Sequence, residues 1–252
     1  MVSETIMANP SPSIAPHEAE FFGKLASDWW NPAGSSAMLH RITPLRSALV
    51  RDTVVAHFGR PARVRRPLAG LWALDIGCGA GLMTEPLARM GAATTGIDAA
   101  PENIAAAVSH AAETGLAVDY LAISVEALAE TAAVYDIITC LEVVEHVADR
   151  DSFFRNVKAL LAPGGVAIFS TPNRTAASWA VLIGGGELLT RTIPRGAHDW
   201  QRFMTPPELT EALVNAGLSV TATHGLGWSP VQGFVLGNDV SIDYFLVARQ
   251  IA

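Results

Sequence analysis

Apolar positions along this chain change their period several times, and each change marks an element. Short apolar runs bounded by turn residues lie near Leu71–Ile76, Ala93–Asp98, Val118–Ile123, Tyr135–Leu141 and Gly165–Ser170. Runs of that length read as buried strands. Between and after them, Leu82–Met90, Glu102–Thr114 and Arg150–Leu160 carry apolar residues at helical spacing. Strands alternating with helices predict a parallel sheet covered on both faces. Upstream, His17–Trp30 has helical spacing. A further helix is expected to begin at Pro44, its stripe formed by Leu45, Leu49, Val50, Val54 and Phe58. Downstream, Thr205-Pro-Pro-Glu208 is a capping-box pattern that starts a helix over Pro206–Ala216. Leu218–His224 and Ser241–Arg249 supply two closing strands with an antiparallel edge, which makes seven strands in all.

The expected organisation is a disordered tail over 1–16 and a single unit over 17–252. Within that unit come a helical arm (17–66), a core (71–173), an inserted segment (174–205) and a closing helix with strands (206–252). The net charge is −7, from 17 basic and 24 acidic residues, with no long basic block. Nucleic acid binding needs a positive surface to displace counterions, so that class is disfavoured. Cys78 and Cys140 fall in or beside buried strands, which suits a reducing cytoplasm and gives no disulfide framework. No apolar run reaches the roughly 18 residues of a membrane span.

The chemistry concentrates where the first strand breaks. Ala73-Leu-Asp-Ile-Gly-Cys-Gly-Ala-Gly-Leu82 places Gly77, Gly79 and Gly81 at alternate positions, and Asp98 follows Gly81 by 17 positions. Glycines admit a ligand close to the backbone, and a helix start offers unpaired N–H groups. An acid at the end of the second strand of such a unit meets ribose hydroxyls. A dinucleotide loop needs Gly or Ala where this chain has Leu82. Gly-x-Gly-x-Gly after Leu-Asp-Ile instead resembles the first motif of class I S-adenosylmethionine-dependent methyltransferases. Asp75 reads as the residue that orders the turn, and Cys78 as an ordinary occupant of the loop.

A second cluster, Leu141-Glu-Val-Val-Glu-His146, ends the fourth strand. If the chain turns helical there, Glu142, Glu145 and His146 share one face. Two carboxylates and an imidazole can hold a hard ion such as Mg²⁺. The competing reading is an acidic helix start with a packed histidine.

The N-terminal arm adds a more specific signal. Phe22-Gly-Lys-Leu-Ala-Ser-Asp-Trp-Trp-Asn-Pro-Ala-Gly34 and Leu39-His-Arg-Ile-Thr-Pro-Leu-Arg46 resemble the opening of the ubiquinone-biosynthesis O-methyltransferases. The likeness continues through Asp75-Ile-Gly-Cys-Gly79, Thr139–His146, Pro163-Gly-Gly165, Ser170–Arg174, Gly196–Asp199 and Asp239–Tyr244. The resemblance implies a Rossmann-like class I methyltransferase fold, an α/β sheet of seven mostly parallel strands. It implies O-methylation of polyprenylated catechol or quinol rings at both such steps of ubiquinone formation, with S-adenosylmethionine as cofactor. Arg46, Gly77, Asp98 and Leu141 match the family's cofactor contacts, and the loop adds Gly79. Glu142, Glu145 and His146 match its metal and catalytic positions, with Mg²⁺ as the ion. An acid common after the third strand of such enzymes is missing at the comparable place, Ile123-Ser-Val-Glu126, so Ser124 or the Val125 backbone would take its role.

Between the fifth strand and the capped helix, Arg174–Arg202 is longer than an ordinary connection. It holds the apolar stretch Ala176–Ile183 with Trp179. Its four arginines (174, 191, 195, 202) outnumber its acids, Glu187 and Asp199. Such a segment suits a lid over the substrate or contact with an anionic bilayer interface. His198 and Asp199 are candidates for the substrate side. The expected setting is cytoplasmic and peripheral to the inner membrane, with a ubiquinone-biosynthesis complex as a partner. Two alternatives stand beside this: a methyltransferase for another small phenol or acid, and a non-catalytic membrane-associated subunit.

Overall fold

The computed structural model describes residues 14, 16–34, 36–190, 193–229 and 231–250. The expected tail over 1–16 therefore lies almost wholly outside the described residues, as does Arg191. The arm comprises α1 (Pro16–Gly23), a 3₁₀ turn (Ala26–Asp28) and α2 (Ala37–His57). The core runs β1 (Trp72–Ile76), α3 (Thr84–Arg89), β2 (Ala93–Ile97), α4 (Pro101–Thr114), β3 (Asp119–Leu121), α5 (Val125–Ala129) and β4 (Tyr135–Leu141). A 3₁₀ turn (Val144–His146), α6 (Arg150–Leu160) and β5 (Leu161–Pro172) complete it. Then come α7 (Ala176–Ser178), a wide π-type helix (Trp179–Thr190), a 3₁₀ turn (Trp200–Arg202), α8 (Pro206–Asn215), β6 (Leu218–Ser229), β7 (Gly233–Gly237) and β8 (Asp243–Gln250).

The strands form one sheet in the order β3-β2-β1-β4-β5-β8-β6-β7. The first five are mutually parallel, and β8 enters antiparallel between β5 and β6. The expectation of seven strands is corrected to eight. The additional strand is β7, whose glycine-flanked sequence reads as loop but pairs with β6 in an antiparallel edge hairpin. Both faces of the sheet are covered. One packs Phe153, Phe154 and Val157 of α6 with Leu209 and Leu213 of α8; the other packs Ile42, Val50 and Val54 of α2 with Leu87 of α3.

The helix starts obey local chemistry. Thr205 and Glu208 form the expected reciprocal box at α8, and Asp149 caps α6 by accepting from the Ser152 amide. Gly115, at φ 66°, closes α4 in the left-handed region. Two expectations in the arm are corrected. The helix predicted to start at Pro44 begins at Ala37, with Pro44 inside it, and the spacing over His17–Trp30 yields a short helix and a 3₁₀ turn rather than one helix. The interior proline forgoes one backbone bond and crowds the carbonyl four residues earlier, a local cost that the packing of Ile42, Leu49, Val50 and Val54 offsets.

The parallel register brings the carboxyl ends of β1, β2 and β4 together, since Ile76 pairs with both Ile97 and Cys140. Strand order reverses between β1 and β4, and open sheets of this kind bind ligands there.

Candidate active site and cofactor cleft

At that reversal lies a cavity of about 660 Å³. Arg46, Gly77, Gly79, Asp98, Leu141, Glu142, Glu145 and His146, all singled out in the sequence, line it. Gly77, Gly79 and Gly81 each have positive φ (67°, 53° and 95°), so the loop curls tightly after β1. A Cβ on Gly77 would overlap the Val143 side chain. Asp98 braces the loop from β2. Its Oδ2 accepts from the Gly79 amide at 2.9 Å, and its Oδ1 accepts from the Ala100 amide and Asn103 Nδ2 at 2.9 and 3.2 Å. Burial nevertheless pushes its carboxyl above the ordinary range.

Asp75, expected to order the turn, is bonded instead to residues of α3 and β4 on either side of it. Its carboxylate accepts from Thr84 Oγ1 and Thr139 Oγ1 at 2.6 and 2.7 Å. Burial pushes its pKa up to about 6 against those two donors. Cys78 is buried, and desolvation, then the nearby Asp98 and Asp75 charges, push its thiol well up. It is no nucleophile.

The paired tryptophans clamp the same loop from the arm. Trp29 lies over Gly79, where an added Cβ would come within 2.5 Å of its ring. Trp30 Nε1 donates to the Ala80 carbonyl at 3.0 Å, and its ring stacks on His110 at 3.4 Å between centroids. Composition gave no hint of this contact; only the resemblance marked the pair. Ser124 spends its hydroxyl capping α5 by accepting from the Ala127 amide. Beside it Glu126, 3% exposed, lines the cavity with neither carboxylate oxygen hydrogen-bonded among the described residues. It closes the same Ile123–Glu126 stretch, on the first turn of α5.

At the cavity's other end the acidic cluster differs from expectation. Glu142 ends β4 with φ 57°, a strained value for a non-glycine residue, and its Oε1 accepts from Arg46 Nη2 at 2.6 Å and Ser170 Oγ at 2.5 Å. Glu145 and His146 sit in a 3₁₀ turn, not an α-helix. Glu145 Oε2 accepts from Thr171 Oγ1, while its Oε1 has no hydrogen-bond partner among the described residues and lies 3.9 Å from His146 Nε2. His146 Nδ1 is 3.0 Å from Glu18 of α1, and Glu18 also accepts from Arg202 at 2.7 Å. The expected metal triad is corrected accordingly. Glu142 is held by Arg46, Glu145 by Thr171 and His146 by Glu18, though Glu145 and His146 stay 3.9 Å apart; among the described residues no three His, Cys, Asp or Glu side chains are grouped to hold an ion. Arg46, expected on the cofactor's carboxylate, lies on Glu142 and 3.9 Å from Asp243. Burial, then the Glu142 charge, pushes the Asp243 carboxyl well up.

The inserted segment roofs the cavity. Ala180, Leu182, Gly186 and Ile193 face it, while Trp179, Leu188 and Leu189 are exposed on the outside. His198 also lines it, whereas the exposed Asp199 caps the next turn and does not. Two of the segment's arginines are engaged internally: Arg174 with Glu208 and the Phe203 carbonyl, Arg202 with Glu18. No described helix is long and apolar enough to cross a membrane.

Residues 59–223 match the family model described as a methyltransferase domain. The fold resembles the magnesium protoporphyrin IX methyltransferase of Synechocystis PCC 6803 with bound S-adenosylhomocysteine, at TM-score 0.62 and 19% identity over 92% of this chain and 97% of that one. It also resembles the 1,6-didemethyltoxoflavin-N1-methyltransferase of Burkholderia thailandensis, at TM-score 0.56 and 22% identity over 96% and 93%. Glycine loop, braced acid and sheet order thus define a class I S-adenosylmethionine-dependent methyltransferase. Its relatives narrow the class. The chain is 44% identical to the ubiquinone biosynthesis O-methyltransferase of Methylobacterium nodulans, over 95% of this chain and 96% of that one. It is 46% identical to that of Azorhizobium caulinodans, over 94% of each. The chain belongs to the ubiquinone-biosynthesis O-methyltransferase family.

Proposed function

We propose that this enzyme methylates catechol-type hydroxyls on polyprenylated ubiquinone precursors, at both O-methylation steps. The observation that carries the reading is one continuous cavity. It joins Asp98 and the glycine loop at one end to the apolar underside of the inserted segment at the other. A polar cofactor and an apolar, ring-bearing substrate need such a two-ended space.

When bound, S-adenosylmethionine supplies an electrophilic methyl group on a sulfonium. The protein's part is positioning. Asp98 accepts from ribose hydroxyls with the lone pairs its three donors leave free. Glu126 accepts from the base's amino group, and Leu141 and Trp29 pack against the cofactor. The Arg46–Glu142–Asp243 cluster faces the reacting end and orients polar substituents of the ring. Mg²⁺ assistance is implied by the residue types of Glu142, Glu145 and His146 and by the resemblance. With Glu142 held by Arg46 and His146 by Glu18, the residues do not fit that ion as arranged.

The exposed Trp179, Leu188 and Leu189 support peripheral contact with an anionic membrane surface on the cytoplasmic side, where a prenylated substrate and other ubiquinone-forming enzymes reside. Methyl transfer to short-chain prenyl catechols and to their monomethylated quinols tests the main reading; turnover of neither would end it. Vesicle co-sedimentation with and without residues 176–190 tests the membrane reading.

A further inference from the structure

The inserted segment contains a carboxylate–imidazole pair that the positioning roles above leave unused. Glu187, on the π-type helix, is buried at 3% exposure. Its Oε2 accepts from the Gly196 amide at 2.8 Å. Its Oε1 accepts from the His198 amide at 3.0 Å and lies 2.8 Å from His198 Nδ1. Gly196, at φ 81°, lets the chain fold back so that both amides reach one carboxylate. The Phe203 ring meets the imidazole edge-on, with centroids 5.6 Å apart. His198 therefore has little freedom to turn.

The consequence is a fixed tautomer. A carboxylate on Nδ1 keeps the proton there and leaves Nε2 as the ring's acceptor. Nε2 has no hydrogen-bond partner among the described residues, and His198 lines the cavity beside Ala197 and Ile193. Burial pushes the Glu187 carboxyl up, but the donors from His198 and Gly196 outweigh it and hold the group below its ordinary range. On the Phe203 side Arg202 meets Glu18, which also holds His146, and Arg174 meets Glu208; Asp199 is exposed and caps Gln201.

We propose that His198, oriented by Glu187, is the general base that takes the proton from the substrate hydroxyl. The proposal rests on the reading of the cavity as a site of hydroxyl methylation. The O–H bond breaks and its proton moves to Nε2. The oxygen's electron pair forms the new O–CH₃ bond while the C–S bond breaks, its pair remaining on sulfur as a neutral thioether. The imidazolium then releases its proton to water. Glu187 acts through His198 and is a positioning residue.

The test compares the wild type with His198→Gln and Glu187→Gln, on a prenyl catechol across pH. His198→Gln should lower kcat by about 10²- to 10⁴-fold. S-adenosylhomocysteine affinity should be kept, and the acidic limb of the kcat profile should disappear. Glu187→Gln should give a smaller loss, because the imidazole stays in place but loses the carboxylate that fixes its tautomer. A chromogenic nitrocatechol bound beside S-adenosylhomocysteine should ionise in the wild type and stay protonated with His198→Gln, which absorbance reads without turnover. Exogenous imidazole should restore part of the rate to His198→Gly. Unchanged kcat in His198→Gln overturns the proposal. So does a reduced kcat that keeps its acidic limb, leaves nitrocatechol ionised and resists imidazole, for then the pair only latches the lid. A wild type inactive on every catechol fails earlier, at the functional reading itself.

Discussion

Arg46 and Glu142 stand 96 positions apart in the chain and meet with 2.6 Å between Nη2 and Oε1. The pair ties α2 to the end of β4, and its guanidinium lies 3.9 Å from Asp243 as well. Removing one side of this part-buried pair strands the other charge, and the lost charge-assisted hydrogen bond costs about 1.5–3 kcal/mol. Arg46→Met should therefore destabilise the fold by that order in chemical denaturation. Adding Glu142→Gln should recover much of the loss, because the stranded charge goes with it. Strict additivity of the two changes would mean that the ion pair contributes nothing of its own.

Asp75 carries the clearest pH signature. Its pKa is about 6 when folded, against an ordinary 3.8, because burial disfavours the charge. The folded state thus holds the proton more tightly than the unfolded chain. Its contribution to stability is fully present below pH 3.8 and is lost as pH rises through 6. Asp75→Asn removes the titration. The stability difference between wild type and variant should shift by on the order of 3 kcal/mol across that window, in the variant's favour at the upper end. Parallel curves for the two proteins would contradict this.

Much of this was legible along the chain because period and turn chemistry are local. The helix over Arg150–Leu160 and the strand over Tyr135–Leu141 agree with the structure to the residue, and the start of α8 follows its capping box. The loop's conformation was legible because only glycine adopts those φ values freely. What depended on distant partners was not. Glu142, Glu145 and His146 lie on one short stretch, yet each is hydrogen-bonded to a different distant residue, Arg46, Thr171 and Glu18 respectively. Glu187 and His198, both within the inserted segment, pair only because a π-type helix and a glycine turn fold the segment back. Periodicity cannot express either outcome. β7 was hidden by its glycines, which mark loops except where an edge strand bends.

The clamp on the glycine loop predicts a rescue. Gly79→Ala meets two obstacles: φ 53°, which costs an L residue roughly 1–2 kcal/mol, and a Trp29 ring 2.5 Å from the new Cβ. S-adenosylhomocysteine affinity should fall sharply in calorimetry. Trp29→Ala should return part of it in the double variant by making space, while the backbone strain remains. Failure of the second change to help would show that φ alone sets the effect.

The cofactor side and the acidic cluster are separable, and calorimetry with S-adenosylhomocysteine can prove it. Asp98 holds three donors from the loop and α4, and Glu126 presents a buried carboxylate with no partner among the described residues. A hydrogen bond to a charged group contributes about 1.5–3 kcal/mol, so Asp98→Ala and Glu126→Gln should each weaken binding by roughly 10- to 100-fold. Asp98→Ala should be the worse, because it also releases the Gly79 amide. Neither residue touches Glu142, Glu145 or His146, so a chelator should leave the wild-type affinity unchanged whatever it does to turnover. A drop in affinity on chelation would place an ion against the cofactor and would refute the separation argued from Asp98 and Glu126.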